Sequence, residues 1–190
     1  MASASAAAVA AGADLGIVFD TDVDRSAVIG ADGAEYNRNR LIALLSHVVL
    51  RGSPGATIVT DSVTSNGLTA FIEARGGRHL RYRRGYKNVI NKGLELNAAG
   101  REAPLMVETS GHGAMAENYF LDDGAYLAVK ILVEAVRMRL GGDERGLAAV
   151  LEDLPQPAEE REIRLKIASA TFKEDGAEVL AAFKAAGCGG

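Results

Sequence analysis

Apolar residues between positions 41 and 140 follow two alternating spacings. The segment NRLIALLSHVVL places Leu41, Leu44, Leu45 and Val48 on one stripe, which is the spacing of an amphipathic helix. ATIVT and APLMVE are instead short, continuous apolar runs, as buried strands are. The order of such segments predicts α-β-α-β-α-β-α. This order is typical of an α/β fold with a mostly parallel sheet and helices on both faces.

The segments before, within and after this alternating region add further predicted elements. DLGIVF and RSAVIG predict two strands around an acidic loop, and so a β-hairpin unit over residues 15–36. TSGHGAMAENYF predicts a long loop that leads into the strongest helical segment, which Asp122 or Asp123 would cap. Beyond that helix we expect a short helix over 143–153, a linker at 154–158, a strand in REIRLKI and a last helix in GAEVLAAFKAAG.

Composition narrows the class of protein. The 190 residues are 48% hydrophobic and 24% charged, which suits a globular chain that can bury a core. The net charge of −4 argues against a general nucleic-acid binder, and no apolar stretch reaches the ~20 residues needed to cross a bilayer. Cys188 is the only cysteine, which excludes an intrachain disulfide framework. Residues 1–13 are rich in Ala and Ser and are expected to be flexible.

Three aspartates alternate in the loop DTDVDR. Residues two apart in an extended chain face the same way, so Asp20, Asp22 and Asp24 would repel one another by about 1–4 kcal/mol per pair. Mg²⁺ would offset that repulsion, whereas a solvated acidic turn is the alternative. A calcium EF-hand is excluded, because Arg25 and Ala31 stand where that loop needs Gly and Glu. A haloacid-dehalogenase-type phosphatase, with Asp20 as nucleophile, stays open as an alternative.

Two further loops contain side chains suited to a sugar phosphate. VETSGHG carries Glu108, Ser110 and His112 beside glycines that would let a ligand approach the backbone. The alternative interpretation of this segment is a polar loop that follows a strand and binds no ligand. A carboxylate in such a loop is not expected to support the core. RHLRYRRGYK carries Arg84 and Lys87, which would suit a phosphate pocket. A solvated strand face or an RNA-binding strand would have a similar composition.

In chain order, DTDVDR, GYKN and ETSGHG followed by ENYFLDDG resemble the motifs of the α-D-phosphohexomutase superfamily, which includes phosphoglucomutases and phosphomannomutases. The resemblance covers about residues 14–154, and FDTDVDRSAV is most similar to the plant and algal branch. It implies an isomerase that moves a phosphoryl group between C1 and C6 of a hexose phosphate through a bisphosphosugar. The implied compartment is the cytoplasm or the chloroplast stroma.

The resemblance also implies a role for each loop. DTDVDR would hold Mg²⁺, with Arg25 as the catalytic residue beside the transferring phosphoryl group. ETSGHG would bind the sugar, and GYKN would contact the substrate phosphate. The implied metal ligands are Asp20, Asp22 and Asp24, and the implied substrate-binding residues are Glu108, Ser110, His112 and Lys87. Val107 departs from the family pattern, which usually has Gly at that position.

The phosphoserine loop of the family, of the type T/A-x-S-H-N-P, does not occur in the sequence. We therefore expect a partial chain: the end of the second family domain over residues 14–38, the third domain over 39–154, and a linker with the start of the fourth domain over 155–190. Hexose phosphates and bisphosphates are the expected ligands, and neither nucleic acid nor a membrane is an expected partner. The missing domains would complete the site, so this chain alone is expected to be inactive. A non-catalytic sugar-phosphate-binding remnant is a further alternative.

Overall fold

The computed structural model describes residues 1–159 and 166–187. The chain divides into two compact units, Met1–Pro157 and Ala158–Gly190. Most of the strand predicted in REIRLKI lies outside the described residues, and so does Cys188.

The N-terminal segment differs from the flexible segment expected from its composition. It forms helix α1 over Ala2–Ala10, in which Ala8 is buried. Alanine has the highest helix propensity of all residues, and α1 packs against the first sheet. These two effects together account for the difference.

The first sheet consists of three antiparallel strands. β1 (Leu15–Phe19) pairs with β2 (Ser26–Gly30), which pairs with β3 (Glu35–Tyr36). Phe19 lies opposite Ser26, so the two strands are paired right up to the acidic loop. The structure thus confirms the predicted hairpin, and the loop is held at both ends by strand pairing.

The second sheet has four strands in the order β5-β4-β6-β7. Its strands are β4 (Thr57–Asp61), β5 (Arg78–Tyr82), β6 (Leu105–Val107) and β7 (Gly113–Met115). The first three are parallel, as predicted, and β7 is antiparallel to β6. β7 and a short 3₁₀ turn at Ala116–Asn118 replace part of the predicted long loop. Their residues are too few and too small to give a strand pattern in the sequence.

The remaining helices match the predicted order. They are α2 (Asn39–Gly52), α3 (Asn66–Ala74), α4 (Tyr86–Ala98), α5 (Gly124–Leu140), α6 (Leu147–Leu151) and α7 (Phe172–Gly187). α6 is shorter than expected, and α7 belongs to the second unit. Among the described residues, no helix combines the length and the apolar character needed to span a bilayer.

Helices cover both faces of the second sheet, as the alternating pattern predicts. On one face, α2, α3 and α5 pack around Ile58 in the larger core cluster. On the other face, Val89 and Leu96 of α4 pack against Val59 and Met106. The carboxyl ends of β4, β5 and β6 therefore meet at one edge of the sheet, which is where α/β folds bind ligands.

Candidate active site

The DTDVDR loop brings three carboxylates together. Asp20, Asp22 and Asp24 each offer an oxygen, and these oxygens lie within 4.8 Å of one another. The loop turns at Val23, whose φ of 66° lies in the left-handed region that β-branched residues rarely adopt. Asp24 Oδ1 is buried, and in the described part of the chain it has no hydrogen-bond partner. Arg25 Nε lies 3.6 Å from this oxygen, beyond hydrogen-bond distance, and a cation held by the three carboxylates would give it a direct contact.

Arg25 lies against the same carboxylates. Its Nε donates to Asp20 Oδ2 at 2.5 Å, and its backbone N–H donates to Asp20 Oδ1 at 3.2 Å. Burial raises the pKa of Asp20, but the hydrogen bonds from Arg25 outweigh that effect and lower the pKa overall. The carboxyl group therefore stays ionised, as a metal ligand must. The Arg25 side chain is 47% exposed, so part of it faces solvent beside the three aspartates.

The ETSGHG loop is a tight turn between β6 and β7. The backbone N–H of Glu108 donates to the His112 carbonyl oxygen at 2.9 Å. Gly111 has a φ of 99°, and a Cβ at that position would lie 2.9 Å from the carbonyl oxygen of Ser26. Only glycine fits here, because both the backbone conformation and the close approach to β2 exclude a side chain.

Glu108 connects this turn to the GYKN loop. Its Oε1 accepts a hydrogen bond from the Gly85 N–H at 2.6 Å, and its Oε2 accepts one from Ser110 Oγ at 3.1 Å. The side chain is buried, with 4% of the residue exposed. These contacts favour a structural role for the carboxylate, contrary to the expectation that it does not support the core. Its removal would leave a backbone donor without its partner, which costs about 1–3 kcal/mol when the donor is buried.

The acidic loop and the ETSGHG turn are in direct contact. Arg25 and His112 form an isolated antiparallel bridge, and His112 Nδ1 lies 3.6 Å from Asp24 Oδ2. The start of α5 closes the junction, because a Cβ on Gly124 would lie 2.6 Å from the Arg25 backbone. The structure thus places two motifs that are distant in the sequence side by side.

His112 is held in one orientation by two neighbours. Its Nδ1 lies 2.8 Å from Asp122 Oδ2, and its ring stacks on Tyr86 with a centroid separation of 4.7 Å and an interplanar angle of 16°. Asp122 Oδ1 also accepts from the Gly113 N–H at 3.0 Å, so the carboxylate is itself fixed. Burial raises the pKa of Asp122, while His112 opposes that effect. Sequence reasoning assigned Asp122 or Asp123 to the helix cap, and the structure divides the roles: Asp123 caps α5.

Lys87 lies in the first turn of α4, next to Tyr86. The side chain is exposed, with its Nζ 5.8 Å from the centroid of the Tyr86 ring. Arg84 precedes the same turn, and its carbonyl oxygen accepts from Asn88 Nδ2 at 2.8 Å. Lys87, for which the sequence predicts a phosphate contact, therefore lies beside Tyr86, whose ring stacks on His112.

Asp61, at the end of β4, is a residue that the sequence analysis did not single out. It is fully buried, and it accepts hydrogen bonds from Thr109 Oγ1 at 2.7 Å and from the Thr109 N–H at 3.3 Å. Asp61 thus anchors the ETSGHG turn to the central strand. The only signal in the sequence is an acidic residue directly after the buried run TIVT.

A second ionic cluster lies away from these loops, between α2 and α5. Glu134 is 3% exposed and pairs with His47 at 3.2 Å, with Arg137 at 2.6 Å and with Arg51. Hydrogen bonds from Arg137, together with those from Arg51, lower the pKa of Glu134 to about 2 although burial opposes them. This cluster joins two helices and contributes no group to the candidate active site.

Fold and site together define an α/β domain with a candidate cation site beside a polar turn. Comparison with known proteins gives the family: residues 37–157 match the phosphoglucomutase/phosphomannomutase family, in its α/β/α domain III. The match covers more than half of the chain, and the chain belongs to this family. The resemblance of the sequence to phosphoglucomutases and phosphomannomutases is thereby confirmed for the family as a whole.

Individual relatives agree with the family assignment. A phosphomannomutase/phosphoglucomutase of Pseudomonas putida is 33% identical over 147 residues, which is 77% of this chain and 30% of that protein. A phosphoglucomutase of Neisseria gonorrhoeae is 28% identical over 174 residues, 90% of this chain and 35% of that protein. The crystal structure of a family member from Burkholderia thailandensis is 32% identical, with a TM-score of 0.67, over 80% of this chain and 31% of that one.

This chain therefore spans about a third of the length of the curated relatives that it matches. Family membership argues against the haloacid-dehalogenase alternative.

Proposed function

We propose that this chain supplies the metal loop and the sugar-binding loop of a phosphohexomutase active site. The observation that carries the proposal is the contact between the two loops, where Asp24 and His112 lie 3.6 Å apart. A phosphoryl group that moves on a sugar must lie within reach of both a cation and the groups that hold the sugar. Family membership supports the same assignment.

The three aspartates would hold Mg²⁺, for which carboxylate oxygens are preferred ligands. Asp24 Oδ1 fits this role, because it is buried and makes no hydrogen bond within the described part of the chain. When bound, the cation would draw negative charge from a phosphoryl group in transfer. Arg25 would add a second positive charge at the same place, because its side chain is part exposed beside the cluster.

The ETSGHG turn would bind the sugar. Ser110 is exposed and His112 is held with Nδ1 toward Asp122, so the hydroxyl and the other side of the imidazole would meet the hydroxyls of the hexose. Each Glu108 oxygen already accepts one bond and has a further lone pair for a sugar hydroxyl. Lys87 would contact the substrate phosphate as a point charge.

The phosphoryl donor would come from another polypeptide segment, because the sequence has no loop of the S-H-N-P type. The substrates would be a hexose phosphate and its bisphosphate, rearranged between C1 and C6. Correct positioning contributes roughly 7–11 kcal/mol to such reactions, so this chain alone is expected to give no turnover. The plant and algal branch and the cytoplasmic or stromal location stay predictions.

Binding and turnover, measured separately, test the proposal. With Mg²⁺ present, calorimetry should show that the full chain binds glucose 1,6-bisphosphate. Ser110→Ala should weaken the binding about tenfold, which is the loss of about one hydrogen bond. Ser3→Ala, on the exposed surface of α1, is the matched control and should have no effect. The absence of binding by the wild-type chain would contradict the proposal, and so would turnover by the chain alone in a coupled dehydrogenase assay.

A further inference from the structure

His112 meets two carboxylates at one ring nitrogen. Its Nδ1 lies 2.8 Å from Asp122 Oδ2 and 3.6 Å from Asp24 Oδ2. One ligand atom from each of these three residues lies within 4.8 Å of the other two. A nitrogen carries at most one proton, so the hydrogen bond to Asp122 leaves Asp24 without a bond from the ring. A metal ion, in contrast, would bind the nitrogen and both carboxylates at once.

The other two histidines of the chain lack such an arrangement. His47 pairs with one carboxylate, that of Glu134, which two arginines already hold. The two ring nitrogens of His79 each lie 2.7 Å from a threonine hydroxyl, so that imidazole has a partner on both sides. Within the described part of the chain, His112 is therefore the histidine that joins an imidazole to two carboxylates.

The three side chains are held by contacts that leave these ligand atoms available. Asp122 uses Oδ1 to accept from the Gly113 N–H at 3.0 Å, and its Oδ2 is directed to His112. The His112 ring is fixed by the stack on Tyr86. The side chains of His112 and Asp122 are 15% exposed and that of Asp24 is 32% exposed, so a dissolved ion can reach them. Ligands that are ordered beforehand lose little conformational entropy on binding.

The distances suit an ion with four ligands. Zn²⁺ in proteins is tetrahedral with N and O ligands at about 2.0–2.2 Å, which places neighbouring ligand atoms about 3.3–3.6 Å apart. The 3.6 Å between His112 and Asp24 falls in this range. The 2.8 Å between His112 and Asp122 is a hydrogen-bond distance, and it would widen by roughly half an ångström when the ion replaces the proton. Water would take the fourth position.

We propose that Asp24, His112 and Asp122 form a Zn²⁺ site that is distinct from the candidate Mg²⁺ site of the acidic loop. An imidazole nitrogen favours transition metals over Mg²⁺, whereas the three aspartates of the acidic loop offer only oxygen. Asp24 belongs to both ligand sets. Its Oδ2 faces His112, and its Oδ1 lies 3.6 Å from Arg25 Nε, which binds Asp20. Each oxygen of this carboxylate would therefore serve one site. The site binds Zn²⁺ whether or not the proposed function holds.

Calorimetric titration of the metal-free full chain with Zn²⁺ tests the proposal. The wild-type chain should bind Zn²⁺ with a dissociation constant below about 100 µM. His112→Gln should lower the affinity at least about 100-fold, because removal of a ligand costs more than removal of an outer-shell partner. Asp122→Asn keeps the acceptor for the Gly113 N–H and should lower the affinity at least about tenfold. His47→Gln is the matched control and should leave the affinity unchanged. Circular dichroism should show that each variant stays folded.

NMR of the imidazole nitrogens in the isotope-labelled full chain identifies the ligand atom. Zn²⁺ should shift the signal of His112 Nδ1 and leave those of His47 and His79 unchanged. Asp22→Asn should keep this shift, because Asp22 belongs to the acidic loop alone. Cys188→Ser should keep it too, since a thiolate would otherwise compete for Zn²⁺ and Cys188 is the only cysteine of the chain.

Three results would overturn the proposal. The first is a wild-type chain that binds no Zn²⁺ at about 1 mM, and the second is a His112→Gln variant that binds Zn²⁺ as tightly as wild type. The third is loss of the His112 shift in Asp22→Asn, because Zn²⁺ would then occupy the acidic loop. Should His112→Gln not fold, Asp122→Asn decides by the same comparison with wild type.

Discussion

Asp24 Oδ2 and His112 Nδ1 lie 3.6 Å apart, although the two residues lie in connections within different sheets, Asp24 between β1 and β2 and His112 between β6 and β7. The same nitrogen lies 2.8 Å from Asp122, so His112 stands between a carboxylate of the acidic loop and a carboxylate that precedes α5. These contacts join the acidic loop to the ETSGHG turn.

Removal of one carboxylate from the acidic loop should weaken metal binding. Asp22→Asn keeps the size of the side chain but removes a negative charge, so calorimetry should show Mg²⁺ or Mn²⁺ affinity lowered about tenfold or more. Asp22 is exposed, and the substitution should leave the fold unchanged. Glu73→Gln, an exposed residue on α3, is the control that changes net charge equally. Equal affinities in the two variants would exclude the loop as the metal site.

Asp122 and Asp123 offer a matched pair of adjacent residues with different roles. Asp122→Ala should weaken the binding of glucose 1,6-bisphosphate about tenfold, because His112 loses the partner of its Nδ1. Asp123→Ala removes the α5 cap instead. It should lower the free energy of unfolding by about 1 kcal/mol with unchanged ligand affinity. If both variants lose stability alike and bind the ligand alike, Asp122 does not position His112 for binding.

Glu108 should be needed for the stability of the fold. Glu108→Ala leaves the Gly85 N–H without its partner and should lower the free energy of unfolding by about 1–3 kcal/mol in urea titrations. Glu108→Gln keeps one acceptor oxygen and should cost less stability than Ala. A Glu108→Ala variant as stable as wild type would show that the carboxylate does not hold the GYKN loop.

The Glu134 cluster should make the fold sensitive to acid. The pKa of Glu134 is about 2, below the usual 4.5, so its contribution to stability is present above about pH 4.5 and is lost as the pH falls toward 2. Glu134→Gln should therefore lower the free energy of unfolding by about 1–3 kcal/mol at neutral pH. The difference between variant and wild type should shrink through this window. A difference that stays constant from about pH 6 to pH 3 would contradict the cause assigned to the low pKa.

Most of the fold follows from the hydrophobic pattern. Long apolar stripes such as the one through Leu41 and Leu44 specify helices, and short apolar runs such as TIV specify buried strands. They do so because burial of these side chains outweighs the intrinsic secondary-structure propensity of each residue. β7 was not predicted, because Gly113–Met115 has three residues and gains its strand geometry from pairing with β6.

The candidate site was predicted only in part. Asp20, Asp22 and Glu108 lie in loops as predicted, whereas Lys87 lies in the first turn of α4. The contacts that hold these residues in place are not visible in the motifs. Asp61 reaches Thr109 through the register of β4 and β6, and Tyr86 reaches His112 through the packing of α4. Such contacts depend on tertiary placement, which no local spacing records. Asp122 was missed for a different reason, since two adjacent aspartates before a helix carry the same cap signal.

Paramagnetic broadening by Mn²⁺ in amide NMR spectra of the full, isotope-labelled chain tests the central claim most directly. The claim is that one cation, held by the acidic loop, lies beside the turn that would bind the sugar. At substoichiometric Mn²⁺ the signals of Asp22 and of Gly111 and His112 should broaden first and together, while that of Glu73 on α3 stays sharp. Broadening centred on any other acidic segment, or broadening of the acidic loop that leaves the ETSGHG turn unaffected, would contradict the account.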